Sequence, residues 1–156
     1  MDDVELRATD ASDPDARWVM TEFFAELDRR FPSGFAGEEA LREAPLTLSP
    51  PNGVYVVVMV DSTCAGGGGL YWLDETRAEI KRVWVAPGHR GRGLSTALMA
   101  DLESRAAGAG RTTVVLDTNG VLVEAVALYE RLGYSATTRY NDNPYATHWF
   151  TKQLAP

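Results

Sequence analysis

Cysteine and histidine are nearly absent: the 156 residues include one Cys, Cys64, and two His, His89 and His148. A single cysteine cannot close an internal disulfide, and no Cys/His cluster offers a zinc site, so no metal is expected. Cys64 lies beside Gly66-Gly67-Gly68-Gly69 with no base in sequence reach, which argues against a nucleophile. Long apolar runs are missing too. The N-terminus, Met1-Asp2-Asp3-Val4-Glu5, is acidic, so neither a signal peptide nor a membrane span is expected. The expectation is a soluble cytoplasmic protein. Positive charge is scarce: the net charge is −7, which argues against DNA, RNA and anionic membranes as main partners. No internal repeat or linker interrupts the chain. Its length fits one domain over 1–156, and 45% hydrophobic residues suffice for a core.

One stretch departs from the acidic background. Residues 77–92 hold five Lys/Arg and one Glu, a balance of +4, so the remainder carries −11. The stretch reads as a strand, a turn rich in glycine and arginine, and the start of a helix. Glycines let the backbone turn tightly and approach a ligand closely. A helix that begins there presents N–H groups suited to phosphate, and flanking arginines add forked donors. A basic turn on an acidic chain points to a polyanionic ligand held at one place.

The rest of the chain supplies strands and helices around this unit. Val4–Ala8 alternates as a first strand. Asp13-Pro14 opens a helix carrying Trp18, Phe23, Phe24 and Leu27 to about Arg30. A short helix is expected over Glu38–Arg42, and a loop over Pro45–Pro51. Val54–Val60 is a β-branched strand. Asp61–Gly67 reads as a hairpin turn and Gly68–Leu73 as the returning strand. The glycine tetrad has no Lys-Ser/Thr after it, so it is a flexible turn rather than a P-loop. A strand over 77–86 leads to a helix over 92–107, with Leu94, Leu98 and Leu102 on one face. Then come strand Thr112–Asp117, helix Val121–Leu132, and a last strand pair over Tyr134–Tyr140 and Thr147–Lys152. The order predicts an α/β mixed sheet with helices packed on it.

Two motifs carry a family resemblance. Arg90-Gly91-Arg92-Gly93-Leu94-Ser95 resembles the Arg/Gln-x-x-Gly-x-Gly/Ala signature of the GNAT superfamily of acyl-CoA-dependent N-acyltransferases, with Ser in the last place. Ala125-Val126-Ala127-Leu128-Tyr129-Glu130-Arg131-Leu132-Gly133-Tyr134 resembles its second recurring block. The resemblance implies a central mixed, largely antiparallel sheet in which two parallel strands splay apart, with helices on both sides. It implies acetyl-CoA as cosubstrate, its arm along Val83, Trp84 and Val85. Its pyrophosphate would lie on Arg90, Gly91, Arg92, Gly93, Leu94 and Ser95. The N–H of Val85 or a neighbour would serve as oxyanion donor.

The chemistry needs a base for the acceptor ammonium and an acid for the departing thiolate. The resemblance assigns Glu79 as base; an exposed strand glutamate paired with Lys81 is the plainer reading. It assigns Tyr129 as acid; a core tyrosine is the plainer reading. Asn119 fits a cofactor contact or a helix cap. His89 reads as a turn residue near phosphate, and His148 as a half-exposed structural residue. The likeness also places the acceptor cleft between the early helices and the loop joining the last two strands. That gives Phe24, Asp28, Phe31, Phe35, Tyr140, Asn141, Tyr145 and Trp149 as lining residues for a small amine, the cation held by Asp28 or by π faces. The acidic excess would attract a cationic acceptor such as a polyamine, an aminoglycoside or a lysine peptide. A homodimer is common among such proteins. The competing reading is a catalytically silent acyl-CoA sensor. ATP binding lacks both the P-loop lysine and a third glycine for a dinucleotide fingerprint.

Overall fold

A computed structural model describes residues 3–155. The strands are β1 (Val4–Thr9), β2 (Gly53–Val60), β3 (Thr63–Trp72), β4 (Arg77–Val85), β5 (Thr113–Thr118), β6 (Ser135–Ala136) and β7 (His148–Gln153). The helices are α1 (Pro14–Arg30), α2 (Gly37–Thr47), α3 (Leu94–Gly108) and α4 (Val123–Arg131), with a 3-10 turn at Pro87–His89. The sheet order is β1-β2-β3-β4-β5-β7-β6. Every pairing is antiparallel except β4 with β5. This is the mixed α/β sheet that the element order predicts.

Two cores flank the sheet. Val56, Val58, Leu70 and Ile80 pack with Leu98, Met99 and Leu102 of α3 on one face. Tyr55 and Val57 pack with Val19, Met20 and Phe24 of α1 and with Leu48 on the other. Burial of β2 on both faces explains its unbroken β-branched run, which shows no alternation of polar residues. Helix α1 starts where Asp13 accepts from the N–H groups of Asp15 (2.8 Å) and Ala16 (3.3 Å), with Pro14 in the first turn. Trp18, expected on its apolar face, is exposed, with its ring edge-on to Trp84.

The structure corrects four expectations. The hairpin turn is only Asp61-Ser62, both at positive φ (49° and 67°), the geometry of a two-residue hairpin loop. The glycine tetrad is therefore no flexible turn but the middle of β3, and all four glycines are buried. A Cβ at Gly66 would lie 2.4 Å from the Trp84 carbonyl oxygen, and one at Gly67 would lie 2.6 Å from the Tyr55 ring. Only glycine admits so close an approach of sheet and side chains. Helix α2 runs through Pro45 to Thr47, because Ala40, Ala44 and the following Leu48 bury one continuous face. The expected strand over Tyr134–Tyr140 pairs only at Ser135–Ala136. Beyond Thr137 the chain leaves the ladder, and its side chains bond to Glu79 and Asp117 instead.

Two features open the sheet at its centre. Strand β4 pairs with β5 only from Arg77↔Thr113 to Glu79↔Val115. On its other edge the register with β3 steps from Gly69↔Lys81 to Gly67↔Trp84, so β4 carries one extra residue. The bulge centres on Arg82, whose φ is 58°. A bulge bends its strand and increases the local twist. The strand turns away from β5 just beyond Glu79, and a wedge opens between the two.

Candidate active site

The wedge is part of a cleft of about 740 Å³ that runs between the two helical layers. Its floor is β4 from Glu79 to Val85. Its sides come from α1, the turn at His89–Thr96, the end of β5, helix α4 and the loop around Asn141–Ala146. No helix among the described residues is long and apolar enough to cross a membrane. No group of three or more His, Cys, Asp or Glu among them is placed to hold a metal ion.

Glu79 sits at the fork where β4 and β5 part, and it is buried, only 4% exposed. Its Oε2 accepts from the Tyr140 hydroxyl at 2.6 Å and from Asn141 Nδ2 at 3.2 Å. Lys81 Nζ lies 3.9 Å from Oε1. Burial raises the Glu79 pKa above the ordinary carboxylate range, Lys81 and the two donors oppose that, and the Asp117 charge adds to it. The pairing with Lys81 is real but long, and the exposed-strand reading fails on burial. The Tyr140 phenol is itself held well above its ordinary pKa, by burial first and by the Glu79 charge second.

Asn141 ties the fork together. Its Nδ2 also donates to Asp117 Oδ2 at 2.6 Å, while its Oδ1 accepts from Trp149 Nε1 at 2.9 Å. An indole N–H can only donate, so Trp149 fixes which way the amide faces. Asn143 Nδ2 donates to Asp117 Oδ1 at 3.2 Å. Trp149→Phe is expected to lower kcat by roughly tenfold through loss of this alignment. A rate unchanged from wild type in steady-state assays would show that the amide needs no such support.

The glycine–arginine turn is built as the sequence indicates. Gly91 and Gly93 lie at φ 81° and 78°, a region open to glycine at no steric cost. Gly93 caps α3 without any side-chain hydrogen bond, so no cap side chain takes up the first N–H groups of the helix, whose residues Leu94, Ser95 and Thr96 line the cleft. Of the expected cofactor residues, Val83, Trp84, Val85, Arg90, Gly91, Gly93, Leu94, Ser95 and Asn119 line the cleft; Arg92 does not. Arg90 is drawn into the fold. Its Nε donates to the Val85 carbonyl at 2.8 Å and its Nη2 to Glu26 at 2.9 Å. Glu26 also accepts from Trp84 Nε1 at 3.0 Å and from Arg30 at 3.1 Å. Burial pushes the Glu26 carboxyl up, but these donors outweigh it and hold the pKa below its ordinary value. His89 lines the cleft with Nδ1 buried and unbonded. Asn119 joins two loops rather than capping a helix: it donates to the Tyr145 carbonyl (2.7 Å) and accepts from the Val121 N–H (2.9 Å). His148 is exposed rather than half-exposed, and its Nδ1 lies 2.8 Å from the Thr147 hydroxyl.

Tyr129 projects from α4 into the same cleft, 7% exposed, and burial pushes its phenol pKa up. Among the expected acceptor residues, Phe31, Phe35, Asn141 and Tyr145 line the cleft. Phe24, Asp28, Tyr140 and Trp149 do not. Phe24 lies behind, Tyr140 and Trp149 act through Glu79 and Asn141, and exposed Asp28 accepts from the Phe35 N–H at 2.8 Å to hold a turn. Sequence reasoning missed Asp117, Glu26 and Arg82. Asp117 had a signal, since the carboxyl ends of parallel strands are where open sheets bind ligands. Glu26 and Arg82 had none, because their roles depend on long-range contacts and on a bulge.

Comparison with known proteins agrees with this geometry. The model of the "Acetyltransferase (GNAT) family" matches residues 18–134. The uncharacterized N-acetyltransferase YjgM of Escherichia coli K12 is 32% identical over 137 residues, 84% of this chain and 81% of that protein. Two crystal structures share the fold. The acetyltransferase of the GNAT family from Staphylococcus aureus Mu50 superposes with a TM-score of 0.80 at 13% identity, covering 99% of this chain and 100% of that one. The PaiA N-acetyltransferase of Thermoplasma acidophilum, solved in complex with coenzyme A, gives 0.75 at 16% identity, over 97% and 99% of the two chains. The site at the splayed strands, the helix-capping glycine turn and the family match converge: this chain belongs to the GNAT family of acetyltransferases.

Proposed function

We propose that this acetyltransferase moves an acetyl group from acetyl-CoA to the primary amine of a small molecule, with Glu79 as general base and Tyr129 as general acid. The observation that carries the proposal is the buried Glu79 carboxylate at the strand fork, inside the cleft and with its pKa raised. A base works best when its pKa lies near the working pH. Both hydrogen-bond donors sit on Oε2, which leaves Oε1, with Lys81 Nζ no nearer than 3.9 Å, as the oxygen that takes a proton.

The chain's residues fit acetyl-CoA. The first turn of α3 offers N–H groups to a pyrophosphate beside two glycines with no Cβ in the way. Strand β4 beyond Glu79 has lost its β5 neighbour, and its open edge suits the amides of the pantetheine arm. One acceptor site on Val85 is taken by Arg90, so Arg90 shapes the turn in addition to adding charge. Solved relatives of this fold hold coenzyme A or acetyl-CoA.

In the transfer, the amine nitrogen forms a C–N bond to the acetyl carbon as the C–S bond breaks. Glu79 takes the ammonium proton and passes it to solvent. Tyr129 gives its proton to the departing sulfur and is restored by the second proton that the nitrogen sheds. One proton is released per turnover. The raised Tyr129 pKa keeps the phenol protonated before the transfer. Tyr129→Phe is expected to lower kcat by about a hundredfold with acetyl-CoA binding retained. Full activity in that variant, measured as CoA thiol release, would remove the acid role.

A further inference from the structure

The acceptor side of the cleft holds a cation that the reaction above does not use. The bulge at Arg82 turns its guanidinium over the rings of Phe24 (5.0 Å) and Phe35 (5.7 Å). Phe35 in turn packs on Tyr145 at 4.6 Å, and Phe31 stacks on Tyr145 at 5.9 Å. Arg82, Phe31, Phe35 and Tyr145 line the cleft. Lys81 reaches Glu79, but no carboxylate comes within ion-pair distance of Arg82 among the described residues. Burial lowers the Arg82 pKa, while the charges of Asp117 and Glu79 act on it only from a distance. Arg82 is half-buried, and the ring faces offset only part of what it loses by leaving water. The strained left-handed backbone at Arg82 is a further cost of keeping it there.

A purely cationic acceptor does not answer this arrangement. Glu79 and Asp117 attract its ammonium, but Arg82 repels it. A zwitterion answers both. Building on the acetyl-transfer reading above, we infer that the acceptor is an α-amino acid with an apolar side chain: its amine faces Glu79, its carboxylate pairs with Arg82, and its side chain lies on the Phe31–Phe35–Tyr145 wall. The bonds made and broken are those already given, and the carboxylate keeps its charge throughout. Arg82 is thus a specificity-determining residue, and polyamines and aminoglycosides are excluded as preferred acceptors.

The test pairs each amino acid with the amine that lacks only its carboxylate: phenylalanine with 2-phenylethylamine, leucine with isoamylamine, methionine with 3-(methylthio)propylamine. Binding is measured by calorimetry, and turnover by CoA release. The expected result is a kcat/KM about a hundredfold higher for the amino acid in at least one pair, a charge-assisted pairing converted to a rate ratio. Arg82→Gln should erase that preference and weaken amino-acid binding, leaving acetyl-CoA binding intact; Arg82→Lys should restore part of it. Equal or better turnover of the amines overturns the inference and leaves the N-acetyltransferase reading standing. Acetyl-CoA binding with no release from either set of acceptors overturns both.

Discussion

Glu79→Gln is expected to lower kcat by on the order of 10³-fold and leave acetyl-CoA affinity unchanged. Glutamine keeps the shape of the side chain and an oxygen for the Tyr140 hydroxyl, which now reaches Glu79 Oε2 at 2.6 Å. What it loses is the ability to accept a proton at Oε1. The pH profile separates this from a packing effect. The base works only when ionised, and burial raises the Glu79 pKa. Wild-type kcat/KM should therefore fall on the acid side at a pH above the ordinary carboxylate range, and the variant should lack that limb. Stability should move the other way. A carboxyl with a raised folded-state pKa favours the fold below its ordinary pKa, and the advantage is lost as pH rises through the raised one. Glu79→Gln should then melt no lower than wild type at neutral pH, although it is nearly inactive. A variant that is inactive and also much less stable at neutral pH would mark Glu79 as structural.

Gly66→Ala is expected to destabilise the fold by roughly 2–3 kcal/mol and to lower Tm by about 5–10 °C. The added Cβ would meet the Trp84 carbonyl oxygen at 2.4 Å and Val85 Cα at 3.0 Å. Both are backbone atoms, so no side chain can swing aside. Strand β3 would push β4 in the segment that edges the cleft, and acetyl-CoA binding should weaken together with stability. Gly88 gives the control, because a Cβ there meets nothing within 4 Å. Thermal melts with Gly66→Ala and Gly88→Ala indistinguishable would show that β3 and β4 separate more freely than this packing allows.

Local features were legible wherever one stretch of sequence decides the outcome. Asp13-Pro14 starts α1, the β-branched run makes β2, and Gly91 and Gly93 shape the turn that caps α3. Glu79 and Tyr129 line the cleft, where each was legible as part of a strand–turn–helix or helix motif with its own signature. The glycine tetrad misled because glycine is read as a turn residue, while here it is demanded by close packing across β3. Tyr140 reads as the end of a strand and Asn141 as the start of a loop, yet both bond to Glu79 some sixty positions away in sequence. Arg82 gave no sign at all: an arginine at positive φ follows from the register step between β3 and β4. Asp28 shows the converse error. A carboxylate on the right helix reads as a cation holder, but its hydrogen bond to the Phe35 N–H makes it a turn brace.

A crystal structure with a non-hydrolysable thioether analogue of acetyl-CoA would show directly whether the wedge holds the reacting group. The pyrophosphate is expected on the N–H groups of the Arg90–Ser95 turn and the arm along Val83–Val85. The acyl carbonyl should enter the wedge between β4 and β5, with Tyr129 on the sulfur side and Glu79 facing the acyl carbon. A cofactor bound outside the wedge, or one whose acyl carbon is screened from Glu79 by the sheet, would contradict it.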